Sequence, residues 1–91
     1  MLYQISYELK SNNQDYSSLY ASIKKLGDWM RPLETVWYVN TELPIKEVFQ
    51  TLMDTVDQKS DKIIISEVTS QVIGGRASTE FWEWLKKSFK G

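Results

Sequence analysis

A sheet of four antiparallel strands with two helices on one face, followed by a third helix, is the α+β fold this sequence predicts. Three observations carry the prediction. Apolar residues alternate in "YQISYELK", they recur every three or four positions in two later segments, and the patterns follow one another as strand, helix, strand, strand, helix, strand.

The first strand spans Tyr3 to Lys10. Alternation sets Tyr3, Ile5, Tyr7 and Leu9 on one face and Leu2, Gln4, Ser6 and Glu8 on the other. A polar loop, "SNNQD", ends in Asp15, which suits the N-cap of a helix with apolar residues at Tyr16, Leu19, Tyr20, Ile23 and Leu26. Gly27 is expected to end that helix in the left-handed conformation.

"WMRPLETVWYVN" is rich in aromatic and β-branched residues, and Pro32 cannot donate to a ladder. It reads as a short edge strand near Trp29 to Leu33 and a better-paired strand near Thr35 to Asn40, or as one bent strand. In "TELPIKEVFQTLMDTV", Pro44 suits a first helical turn, and Ile45, Val48, Phe49, Leu52, Met53 and Val56 share one face. Phe49 is therefore expected in the core. "DQKSD" is a turn, and the isoleucine run of "KIIISEVT" predicts a strand buried on both faces. "SQVIGGRA" is a loop, and "STEFWEWLKKSF" is a terminal helix starting near Ser78. Lys86, Lys87 and Lys90 complement the negative end of its dipole.

This order, βαββαβ with a C-terminal helix, is that of the ferredoxin-like fold. The chain of 91 residues, 42% hydrophobic and 25% charged, is read as a single domain over 1–91, small enough that a partner subunit would help it. The second face of the sheet is left wet, covered by the terminal helix, or paired with another copy. No apolar run reaches membrane-spanning length and no secretory leader pattern is present, so no membrane association and a cytoplasmic location are expected.

Composition restricts the chemistry. With no cysteine and no histidine there is no thiol nucleophile, no imidazole base and no zinc site built from those ligands. Catalysis would rest on carboxylates, lysines, hydroxyls or an oxygen-bound metal such as Mg2+. The net charge of −1 argues against a strongly basic nucleic-acid binder while permitting a local basic patch.

"ISYELK", "LGDWMRPLETVWYVNTEL", "IIISEVT" and "FWEWLK" together resemble the small SinR-annotated bacterial proteins, which are similar in turn to the CRISPR-associated second protein and to virulence-associated protein D. The resemblance spans nearly the whole chain. In the CRISPR-associated relatives an aspartate after a tyrosine closes the first strand, where a divalent metal has been assigned near a dimer axis. Tyr7 and Glu8 stand at the matching positions, with a glutamate in place of the aspartate. The resemblance thus implies either a dimeric scaffold without chemistry of its own or a Mg2+-dependent endonuclease acting on RNA or DNA through paired Glu8.

Each candidate residue has a plainer role beside its functional one. Glu8 is a catalytic and metal-binding candidate, or the solvated end of a strand. Arg76 in "IGGRAS" precedes a helix start and suits a phosphate, or lies in a simple connection; Tyr7 suits base stacking, or the core. Leu2, Trp37 and Trp82 are expected at a homodimer interface. The preferred reading is a homodimeric binding or scaffold module, nucleic-acid associated, needing no cofactor. The alternatives are the endonuclease and a small regulator or inhibitor docking on a larger protein.

Overall fold

The computed structural model describes residues 1–10, 15–70 and 73–90. Residues 11–14 of the polar loop, positions 71 and 72 of the later loop, and the side chain of Lys90 lie outside the described residues. The elements are β1 (Leu2–Glu8), α1 (Ser17–Leu26), β2 (Asp28–Leu33), β3 (Val36–Asn40), α2 (Ile45–Met53), β4 (Lys62–Glu67) and α3 (Thr79–Lys90). The sheet order is β2-β3-β1-β4 with every pair antiparallel, the ferredoxin-like arrangement. The segment around Pro32 is therefore two strands rather than one.

Alternation in β1 divides the molecule. Tyr3, Ile5 and Tyr7 face α1 and α2 and build the main core with Leu19, Ile23, Trp37, Val39, Val48 and Leu52. Leu2, on the opposite face, joins Tyr38, Phe81 and Leu85 in a second, smaller core under α3. The terminal helix covers that face in part, leaving Ile64 and Leu33 exposed at its two edges. Two bonds one helical turn apart fix the helix to neighbouring positions of β2 and β3: Trp84 Nε1 donates to Asp28 Oδ2 at 3.0 Å, and Asn40 Nδ2 donates to Ser88 Oγ at 2.7 Å. Ser78 caps its start, accepting from the Phe81 amide at 3.2 Å. At α1, Asp15 accepts from the Ser17 amide at 2.9 Å, which holds its carboxyl pKa below the usual value.

Three local expectations need correction. Gly27 has φ 164° and ψ −151°, an extended rather than left-handed conformation. The residue is small for another reason: a Cβ there would overlap the Asn40 carbonyl oxygen, so the end of α1 can approach β3 only without a side chain. Phe49 is 45% exposed and Ile45 44% exposed, because α2 turns Val48 and Leu52 to the sheet and leaves these two residues at the margin of its apolar stripe. Truncating Phe49 therefore opens no core cavity. Finally, β4 is an edge strand; Ile63 and Ile65 pack on the main core, but Ile64 points outward and is 67% exposed.

One buried carboxylate ties the loops at the far end of the sheet. Asp61, 7% exposed, accepts from the Lys10 amide at 2.8 Å, the Tyr16 hydroxyl at 2.8 Å and the Asp57 amide at 2.9 Å. The exit of β1, the entry of α1 and the turn before β4 thus share one acceptor.

Candidate binding surface

Glu8 ends β1 on the outer face, as alternation requires. Its side chain is 58% exposed and accepts an ion pair from Lys10 Nζ at 3.1 Å, and Lys62 stands opposite it on β4. Two lysines therefore flank the carboxylate. Among the described residues, no group of three acidic side chains gathers to hold a metal. Within one protomer Glu8 can contribute a single carboxylate that a cation already neutralises.

Tyr7 is not available for stacking on a base. It is 8% exposed and lies on the inner face. Its hydroxyl donates to the Glu34 carbonyl at 2.9 Å and accepts from Trp37 Nε1 at 2.9 Å and from Arg31 Nη2 at 3.3 Å. Burial raises its pKa above the ordinary tyrosine value, so the hydroxyl keeps the proton it gives to Glu34. The Tyr7 amide also donates to Thr35 O at 3.1 Å. Tyr7 is thus a clamp on the turn between β2 and β3. Tyr7→Phe should destabilise the protein by about 1–3 kcal/mol, because it leaves the buried Trp37 N–H without an acceptor. A urea midpoint unchanged from wild type would contradict this.

Arg31, which the sequence did not single out, completes that cluster. Its guanidinium lies 4.7 Å from the Tyr20 ring centroid and 4.9 Å from that of Trp37, and donates to Glu34 O at 2.7 Å. The aromatic stacking and the carbonyl account for this cation as part of the hairpin's structure.

The expected interface residues are also placed differently. Leu2 is 6% exposed under α3, and Trp37 is wholly buried in the main core, so neither lies on the surface of the protomer. Tyr38, the neighbour of Trp37, takes the outer face instead, and Phe81 covers it at a ring distance of 5.0 Å. Trp82 is half-buried and remains partly accessible.

Trp82 and Arg76 are brought to one groove. They line a groove of ≈ 200 Å³ together with Gln4, Leu33, Tyr38 and Phe81. At its floor, Gln4 Nε2 donates to the Tyr38 hydroxyl at 2.9 Å. Arg76 is exposed on the irregular stretch before α3, where Gly75 has φ +152°, a conformation that favours glycine. The groove opens beside a part of the outer face that α3 covers incompletely. Across that part run Ile64, Ser6, Val36 and Leu33, partners in register from β4 to β2. Ile64 is 67% and Leu33 55% exposed, so the strip is apolar at both ends and interrupted by one serine.

No protein-family model matches the sequence, and no curated protein matches it significantly. Among solved structures, the chain is similar to the crystal structure of a hypothetical protein from Thermus thermophilus. The TM-score is 0.64 and the identity 20%, over 85% of this chain and 93% of that one. At this identity the likeness extends to the fold, and it agrees with the α+β architecture described above. Among the described residues, no helix is long and apolar enough to cross a membrane.

The strip and the groove adjoin on the outer face. Arg76 and Trp82 were visible in the sequence as an isolated cation and an isolated aromatic. Their placement in one groove with Gln4 depends on how α3 crosses the sheet, and no local spacing signals it.

Proposed function

We propose that this chain is a homodimeric binding or scaffold module of the kind represented by the SinR-annotated and CRISPR-associated ferredoxin-like proteins, associated with nucleic acid and without robust catalysis of its own. The observation that carries the reading is the outer strip, where Ile64 and Leu33 stay exposed at either end of the sheet although α3 is available to cover that face. Ile64 and Leu33 stand at opposite edges of the sheet with half-buried Ser6 and Val36 between them in register, and a strip open at both edges offers a docking surface to a partner. Arg76, in the adjoining groove, supplies a cation suited to a phosphate group.

The surroundings of Glu8 favour binding over cleavage. A carboxylate that activates a metal-bound water needs further oxygen ligands and a route for the proton. Glu8 instead has Lys10 beside it and Lys62 across the strand pair. Magnesium-dependent hydrolysis would require that ion pair to open and a second subunit to supply the missing ligands.

One experiment tests the proposal on the intact protein. Wild type and Glu8→Gln are incubated with single-stranded and duplex RNA and DNA in Mg2+, with mass followed by light scattering and strand integrity by gel. A dimer that binds nucleic acid and leaves it intact is expected, with Glu8→Gln equal to wild type in mass and within about 0.5 kcal/mol in stability. Cleavage by wild type that Glu8→Gln loses by a factor of about 10²–10³ would replace this reading with the endonuclease.

A further inference from the structure

The two edges of the sheet differ in a way that identifies a partner. At the β2 edge, Pro32 removes a donor, the register shifts between Met30 and Leu33, and α3 packs nearby through Trp84 and Asp28. Those features protect an edge from further pairing. The β4 edge has no proline and no register shift.

Its hydrogen-bonding groups are also aligned for a ladder. The Val68 amide donates to Leu2 O at 2.8 Å, so the even-numbered residues of β4 direct their backbone groups toward β1. Alternation then directs those of Ile63 and Ile65 away from the sheet. Ile64 has an isoleucine on each side, and beyond them Lys62 and Ser66 differ. The three isoleucines read alike in both directions, so this stretch matches a two-fold copy of itself, with Lys62 of one copy facing Ser66 of the other.

We infer that two copies of this chain join along β4, antiparallel, with the Ile64 residues opposite one another, making one eight-stranded sheet. A two-fold axis normal to the sheet keeps each face on its own side, so only residues of like parity can oppose each other. The register centred on Ile64 sets Ile63 against Ile65 of the second copy on the helix face and Lys62 against Ser66 on the outer face. Ile63 and Ile65 exchange the hydrogen bonds, and the two Ile64 residues form a non-hydrogen-bonded pair, the closer kind. Pairing extends the outer apolar strip across the dimer, from Leu33 of one copy to Leu33 of the other.

This inference rests on the dimeric reading above and specifies its interface, so the test separates the two. The natural chain has no cysteine, which leaves an introduced thiol without competitors. A non-hydrogen-bonded pair brings Cα atoms to about 4.5 Å, within disulfide reach. Ile64→Cys should therefore form a covalent dimer under mild oxidation, whereas Ser66→Cys, whose two copies would stand roughly 14 Å apart, should not. Mixed Lys62→Cys and Ser66→Cys chains should cross-link to each other. Ile64→Lys, at an exposed position, should keep the circular dichroism of wild type and give a monomer mass by light scattering. A dimer that survives Ile64→Lys and leaves Ile64→Cys uncross-linked would overturn the edge pairing while keeping the dimer; a monomeric wild type at micromolar concentration would overturn both.

Discussion

Trp37→Ala is expected to lower the unfolding free energy by about 3–5 kcal/mol, a large part of the total available to a domain of this size. Trp37 is wholly buried at the middle of β3. Its ring lies 5.2 Å from that of Trp29 and 6.0 Å from that of Tyr20, with Arg31 over its face. Truncation removes this packing and the donor to Tyr7, and the neighbours, held by α1 and β2, can close the cavity only in part. Urea denaturation followed by far-ultraviolet circular dichroism measures the loss. A decrease below about 1 kcal/mol would mean that the aromatic cluster repacks freely, against the usual behaviour of close-packed interiors.

Asp61→Ala should be comparably damaging, by about 3–5 kcal/mol, although it removes little apolar surface. The buried carboxylate accepts from Lys10, Tyr16 and Asp57, and its loss leaves those donors without their acceptor. Asp61→Asn discriminates the cause. It retains one oxygen but turns an amide N–H toward a donor, so its loss should fall between wild type and alanine. Equal stability of the asparagine and wild-type proteins would show that neither the charge nor the second oxygen matters there. Thermal and urea unfolding of both variants provide the comparison.

The sequence revealed most where one rule acted alone. In β1, polar and apolar residues alternate cleanly, so Tyr3, Ile5 and Tyr7 were assigned to the helices and Glu8 to the outer face, and the structure agrees. In β3 both faces are covered, and alternation cannot say which of Trp37 and Tyr38 faces which layer when both are aromatic. The triple isoleucine of β4 had the same weakness. A run of apolar residues fits a central strand or an edge, and the strand order that decides between them is a long-range property. Phe49 illustrates a different limit: helical spacing locates a stripe, but its margin and its centre read alike until the helix is docked.

The surface was legible only in fragments. Arg76 and Trp82 were recognisable as residue types suited to binding, whereas Gln4 and the strip from Ile64 to Leu33 came into view only with the register. Asp61 gave no local signal, since its partners come from three separate segments.

The position of β1 has a consequence for how this protein is made. The strand is made before its partners, yet it lies inside the sheet, and its ladders are with Val36–Asn40 and Lys62–Glu67. Pairings so distant along the chain must close large loops before they gain anything, which slows folding relative to helical domains of equal length. Until β4 has emerged, the nascent chain holds an apolar strand with one side unpaired, the kind of species that chaperones receive.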